Sequence, residues 1–267
     1  MIKTVFILDL PSMNELPEME RWYIRYHAPE AINMLGPWMT RYRSYRAVPP
    51  PPGAEHYGYY NYRVTELWFR NITELPPVVG MGPNLGGQFF ELTWPRWMQG
   101  AVSGELYAPK WSGRPEGPHP WVQVYVPAGV TEDFLGHFTV DEKTYVRWYI
   151  AFKYPDGVPV KEGEEWFLNV HSKEVMKQDG LIRYFSHRAL EVRDIPNQYP
   201  WHRITEQWYE NYDTWRKSVI DSPPKYTKPP WAKHDKYPFL EPYVDFISTF
   251  ILERATDDFL RDWRPYP

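Results

Sequence analysis

Two histidines stand in matching contexts, 144 residues apart. His27 ends the run Glu20-Arg21-Trp22-Tyr23-Ile24-Arg25-Tyr26-His27, and His171 ends Glu164-Glu165-Trp166-Phe167-Leu168-Asn169-Val170-His171. Such a histidine changes charge near neutral pH and can act as acid or base. It can equally bridge its own element to a neighbour by hydrogen bonds. A second pair, Arg41-Tyr42 and Arg183-Tyr184, follows 142 residues apart. Arginine and tyrosine side by side can hold an oxyanion or phenolate as charge develops. The alternative is an exposed sheet edge with an ordinary surface ion pair. A third pair, Glu66 and Glu206, lies in Arg63-Val64-Thr65-Glu66-Leu67-Trp68-Phe69 and Arg203-Ile204-Thr205-Glu206-Gln207-Trp208-Tyr209, 140 residues apart. A carboxylate among apolar neighbours has a raised pKa and can serve as acid or base. It can also pair with Arg41 or Arg183.

These pairs define an expected site. His27, Glu66, Arg41 and Tyr42 are the catalytic candidates. Tyr26, Tyr45, His56, Tyr59, Trp68, His171, Arg183, Tyr184, Glu206 and Trp208 are the candidate substrate contacts. No His-x-x-x-His or His-x-His spacing, Gly-rich phosphate loop or serine elbow accompanies them, so neither metal nor cofactor is expected.

The three matches keep their order and drift slowly in offset, which marks an internal duplication. Each copy reads as βαββαβ, the ferredoxin-like split-βαβ unit. The first has strands expected over Thr4–Leu10, Met39–Val48, Tyr59–Phe69 and Gln88–Trp94. Its helices are expected over Pro17–Leu35 and, weakly, from Thr73. The second has strands over Thr144–Lys153, Leu181–Glu191, His202–Trp208 and Tyr243–Leu252, with helices over Glu162–Gln178 and Tyr212–Ile220. The expected organisation is α+β, one unit over 1–120 and a diverged one over 121–267. Alternation along the second strand sets Arg41, Arg43 and Tyr45 on one face and Tyr42, Ser44 and Arg46 on the other. A ferredoxin-like sheet carries helices on one face only, so its other face must be covered. Two units can cover each other and close a barrel around a hollow. The proline-rich stretches Pro49–Tyr57, Ala108–Pro120 and Ser222–Pro242 would lid or flank that hollow, or wrap a second copy in a homodimer.

Composition limits the ligand. Aromatic residues are 18% of the chain, with 14 Trp and 21 Tyr, which suits an aromatic-lined pocket or an interface. The net charge of −4 is mixed along the chain, so nucleic-acid binding is not expected. There is no cysteine, which excludes disulfides and thiolate chemistry. The N-terminal segment meets Asp9 too early for a secretory signal. No apolar run has the length of a membrane span. A cytoplasmic location is expected.

The segment Trp22-Tyr23-Ile24-Arg25-Tyr26-His27-Ala28-Pro29, followed by Arg41-Tyr42, resembles the EthD-like family of the dimeric α+β barrel superfamily. Thr65-Glu66-Leu67-Trp68-Phe69 resembles that family's third strand. In the second copy only the histidine remains, with Val170-His171-Ser172-Lys173 in place of Tyr26-His27-Ala28-Pro29. The resemblance implies the fold more firmly than an activity, because relatives include cofactor-free oxygenases, polyketide cyclases, lactone isomerases and haem proteins. The expectation is a cofactor-independent lyase or isomerase. It would act by proton transfer on an aromatic, phenolic or polyketide-like small molecule in a catabolic or secondary-metabolic pathway. A cofactor-free or haem-assisted monooxygenase and a non-catalytic binding protein are the alternatives.

Overall fold

A computed structural model of the 267-residue chain describes residues 1–10, 12–71, 121–136, 143–190 and 201–263. The expected helix from Thr73, the strand Gln88–Trp94 and the loop Ala108–Pro120 fall outside the described residues.

The fold is α+β, built on two antiparallel five-stranded sheets. The first sheet holds β1 (Ile2–Leu8), β2 (Met39–Arg46), β3 (Arg63–Phe69), β4 (Trp121–Pro127) and β10 (Asp257–Asp258), in the order β10-β2-β3-β1-β4. The second holds β5 (Glu132–Asp133), β6 (Val146–Phe152), β7 (Arg183–Arg188), β8 (Arg203–Tyr209) and β9 (Phe246–Leu252), in the order β5-β7-β8-β6-β9. The long strands are rich in β-branched and aromatic residues, which pack well on a pleated surface. Trp121–Pro127, which the expected partition assigns to the second unit, pairs along its length with β1.

The sheets join at both edges. Val48 donates its N–H to the Phe250 carbonyl at 2.8 Å, and Tyr60 to that of Ser248 at 2.7 Å. On the far side Leu190 donates to the Tyr125 carbonyl at 2.7 Å. The result is a closed barrel with helices outside. Its interior departs from expectation. Val5, Ile7, Val64, Tyr149, Ala151, Ile204, Ile247 and Ile251 all meet there. Each is inaccessible to solvent. Over the described residues the barrel interior is therefore packed with side chains, not hollow.

The helix of each half is interrupted by one π turn. In the first half α1 (Leu16–Trp22) and α2 (Ala28–Leu35) flank the π turn Tyr23–His27. In the second, α3 (Val160–Trp166) and α4 (Ser172–Val175) flank Phe167–His171. A third helix, α5 (Tyr212–Arg216), is capped by the Asn211 side chain and also runs into a π turn.

The halves exchange their tails. After β4 the chain crosses to the other sheet and adds β5 beside β7. After β9 it crosses back and adds β10 beside β2, followed by α6 (Phe259–Trp263). Each tail brings one carboxylate to a buried arginine. Arg63 lies between Glu20 and Asp257, at 2.8 Å from each. Arg203 lies between Glu164 at 2.6 Å and Glu132 at 2.7 Å. Both arginines thus tie their own helix and the other half's tail to one strand. Asp257→Asn should therefore cost about 1.5 kcal/mol, the value of a hydrogen bond to a buried charge. Asp258→Asn, whose partner Arg43 has a 36% exposed side chain, should cost under about 0.5 kcal/mol. Urea midpoints of the two variants test this, and equal losses would contradict it.

Candidate active site

The π turns decide which side chains meet. Five residues apart on an α-helix point in different directions, whereas a π turn bonds i to i+5 and brings them onto one side. The N–H of Ala28 reaches the Tyr23 carbonyl, and that of Ser172 the Phe167 carbonyl. Trp22 and His27 therefore stack, with ring centroids 4.5 Å apart. Trp166 and His171 repeat the contact at 4.7 Å. His171 meets the sheet from its helix side, sharing a cavity wall with Thr205 and Gln207, and His27 packs against Trp22 and Tyr23. Burial alone lowers each imidazole to about 3, so both are neutral at physiological pH. His171 is buried, and His27 is the more open of the two.

Beside His27, the first half gathers a hydroxyl cluster. Tyr42 donates to the Tyr23 hydroxyl at 3.3 Å. The Tyr23 hydroxyl lies 2.7 Å from Thr65 Oγ1 and donates to Ser44 Oγ at 3.2 Å. The Arg63 guanidinium lies 4.5 Å from the Tyr23 ring centroid. Burial, and then the neighbouring Tyr23, push the Tyr42 hydroxyl well above the ordinary phenol range. Phe259, from the exchanged tail, closes over Tyr42 with centroids at 4.8 Å. The cluster thus sets a protonated Tyr42 and its chain of hydroxyls beside a neutral imidazole, backed by a fixed cation.

The second half repeats the frame with one loss. Tyr184, Ser186, Thr205 and Arg203 stand where Tyr42, Ser44, Thr65 and Arg63 stand, and Phe134 covers Tyr184 at 4.7 Å as Phe259 covers Tyr42. Phe167 replaces Tyr23, however, and its missing hydroxyl leaves the buried Tyr184 hydroxyl without a hydrogen bond among the described residues. Between Phe167 and the sheet lies a small cavity, about 20 Å³, lined by His171, Phe167, Thr205, Gln207, Trp148 and Tyr237. That is room for about one water.

The other predicted residues fall elsewhere. Glu66 and Arg41 lie on the barrel side of the first sheet, so the sheet stands between them and the pair His27 and Tyr42. Glu66 bonds to Lys3 at 2.8 Å, not to Arg41. Glu206 bonds to Arg147 at 2.7 Å, not to Arg183. Burial would raise both carboxylates, but for Glu66 Lys3 and Arg147, and for Glu206 Arg147 first, hold them below the usual range. Trp68 and Trp208 each donate Nε1–H to the carboxylate two residues before, at 3.2 and 3.3 Å. Arg41 lies over Trp68, and Arg183 over Phe185 and Trp208. Tyr45 is buried on the same side, under Arg147. Tyr26 is 50% exposed on the outer face of its helix. His56 is exposed, and the Tyr59 hydroxyl donates to the Val48 carbonyl at 2.8 Å. This loop packs on the second half, where Tyr57 meets Trp148 and Trp215 edge-on. Sequence reading missed Tyr23, Arg63 and Tyr237. Tyr23 and Arg63 were visible as repeat members, whereas Tyr237 has no counterpart in the repeat.

Among the described residues no cluster of His, Asp and Glu is arranged to hold a metal, and no helix is long and apolar enough to cross a membrane.

No curated protein matches the chain. Among solved structures, an anthrone oxidase-like protein aligns over 96% of this chain and 92% of its own, at 8% identity and a TM-score of 0.46. A protein from Lactobacillus acidophilus NCFM described as a monooxygenase aligns over 95% and 94%, at 10% identity and a TM-score of 0.35. A protein of the ethyl tert-butyl ether D (EthD) family from Bacillus halodurans C-125 aligns over 28% of this chain and 72% of its own, at 16% identity and a TM-score of 0.25. Residues 1–85, which carry β1, the His27 π turn, β2 and β3, match the family model described as the chalcone isomerase N-terminal domain.

Proposed function

We propose that the helix-side site of the first half belongs to a cofactor-independent isomerase or lyase that moves a proton on a phenolic aryl ketone. The observation that carries this reading is the match of residues 1–85 to the chalcone isomerase N-terminal domain, because those residues contain His27, Tyr23, Tyr42 and Arg63. A chalcone is an aryl enone, and isomerisation leaves its atoms unchanged. A proton taken from one atom of the substrate must therefore be returned to another.

The residues suit the two halves of that task. Burial keeps His27 unprotonated at neutral pH, the state a base must start from. A base with so low a pKa is weak until an anion forms beside it, and the phenolate or enolate made by the transfer stabilises the imidazolium. The proton can then return to carbon from the same ring. Burial keeps the Tyr42 hydroxyl protonated, and turning it from Tyr23 toward the substrate would let it donate to the developing oxyanion. Arg63, ion-paired and solvent-free, adds a fixed positive field behind Tyr23. Glu66 takes no part, since it is ion-paired on the opposite face of the sheet.

The test uses 2′-hydroxychalcone in metal-free buffer, following loss of the enone absorbance. His27→Ala should lower kcat by roughly 10²–10⁴, the usual worth of a positioned acid–base group. Glu66→Gln should leave kcat within a few-fold in whatever fraction stays folded. Full activity in His27→Ala, or activity in the wild type that needs added haem or metal, would sink the proposal.

A further inference from the structure

We infer that Tyr237 is a built-in phenol occupying the ligand seat of the second half, and that the seat takes a single phenol ring lying face-parallel to the histidine of the π turn. Tyr237 comes from the irregular, proline-rich segment between α5 and β9 and belongs to no helix or long strand. Its ring lies 5.6 Å from that of His171 and only 9° from parallel. Tyr226 covers its other side, with centroids 3.9 Å apart. Tyr57 meets it edge-on at 6.4 Å. Beneath it remains only the water-sized cavity, whose wall includes Trp148. The Trp148 N–H and the Tyr184 hydroxyl are both buried and make no hydrogen bond among the described residues.

These features separate a seat from an ordinary core. A core evolved only for packing buries apolar groups or satisfies its polar ones. Here a part-buried tyrosine on a loop, stacked on a buried histidine, closes a space walled by Trp148, whose buried N–H has no hydrogen bond among the described residues. Aromatic rings in register with a histidine and ringed by phenols form a surface that recognises another phenol. The frame beneath, with its histidine, tyrosine, serine, threonine and arginine, repeats in the first half. There the same pose would set a substrate phenol parallel to His27, beside the Tyr23–Tyr42 pair. That last step rests on the function proposed above, while the seat in the second half does not.

Tyr237→Ala should empty the seat, and 4-methylphenol is the analogue of the tyrosine side chain. Calorimetry of the variant should find one more site for 4-methylphenol than the wild type has. The added compound should also raise the variant's lowered Tm. Toluene, which lacks the hydroxyl, should bind the new site about tenfold more weakly, the value of one buried hydrogen bond. No added site, or toluene binding as tightly as 4-methylphenol, would overturn the inference. Where Tyr237→Ala does not fold alone, folding induced by 4-methylphenol supports it. A Tyr237→Ala variant that folds only in an added osmolyte and takes up no 4-methylphenol there opposes it. An added site in a protein without chalcone turnover would count against the proposed function alone.

Discussion

Arg147→Met is expected to destabilise the protein by about 3–5 kcal/mol, the usual cost of leaving one buried charge without its partner. Arg147 is 5% exposed inside the barrel, bonded to Glu206 and stacked near Tyr45, Tyr149 and Trp208. Across the barrel Lys3 holds Glu66 at 2.8 Å and comes within 3.9 Å of Glu206. The Tyr149 hydroxyl donates to Glu66 at 3.4 Å, so the cluster ties the two sheets together. Two cations balance two carboxylates, and removing Arg147 leaves a net negative charge in a dry interior. The Arg147→Met/Glu206→Leu double variant should recover most of the loss, because apolar groups of similar volume often replace a buried ion pair without penalty. The measurement is a double-mutant cycle in urea. An Arg147→Met variant within 1 kcal/mol of wild type would contradict the argument.

That cluster shows what the sequence could convey and where it stopped. Alternation along β2 set Arg41, Arg43 and Tyr45 on one face and Tyr42 on the other, as found, whereas the placing of Glu66 on the Arg41 face depends on the register of β2 with β3 and did not follow. Period-two patterning is a local property and survives in the sequence. The partners of Glu66 and Glu206 did not follow. Lys3 and Arg147 sit on the first strands of the two halves, and their pairing depends on strand order across the sheet. The expected hollow also failed, since two sheets joined at both edges bring their inner faces close enough for Val5, Val64, Tyr149 and Ile204 to pack together.

The π turns were similarly hidden. Met19, Trp22, Tyr23 and Tyr26 at helical spacing predicted a helix over Pro17–Leu35, and one forms. The extra residue in its middle leaves no compositional mark. It turns Tyr26 out to solvent and stacks His27 on Trp22. The exchanged tails were illegible for a different reason. Glu132-Asp133 and Asp257-Asp258 are two-residue strands, too short for any periodicity to show. Their role emerges only from the buried arginines that they help to neutralise.

Mild acid should unfold this protein through its histidines before its carboxylates titrate. In the folded state His27 and His171 are lowered to about 3, whereas an unfolded histidine titrates near 6.5. His202 is lowered in the same sense by burial, and its Nδ1 accepts the N–H of Tyr154 at 2.9 Å. Between those values the unfolded chain binds more protons than the folded one, so stability rises with pH. The contribution is complete above the unfolded value and drains away as pH falls from about 6.5 toward 3. Each proton is worth about 1.4 kcal/mol per pH unit, so His171 alone should remove about 2.5 kcal/mol between pH 7.5 and 4.5. His27, being more open, should add somewhat less. Together they approach the lower end of the 5–15 kcal/mol that holds a typical domain together. Glu66, Glu206 and Glu164 are held below the usual carboxylate range against the pull of burial. Their stabilisation is present above about 4.3 and is lost at lower pH, below the range from pH 7.5 to about 4.5 in which the histidine contribution is read. Asp245, which burial raises, works the opposite way, favouring the fold at low pH. Urea unfolding at pH 7.5, 6.0 and 4.5 measures the slope, and a His171→Phe variant should show about one proton less of it. A wild-type stability flat across that range would mean that the two imidazoles are not held neutral by burial, and the assignment of His27 as a resting neutral base would fall with it.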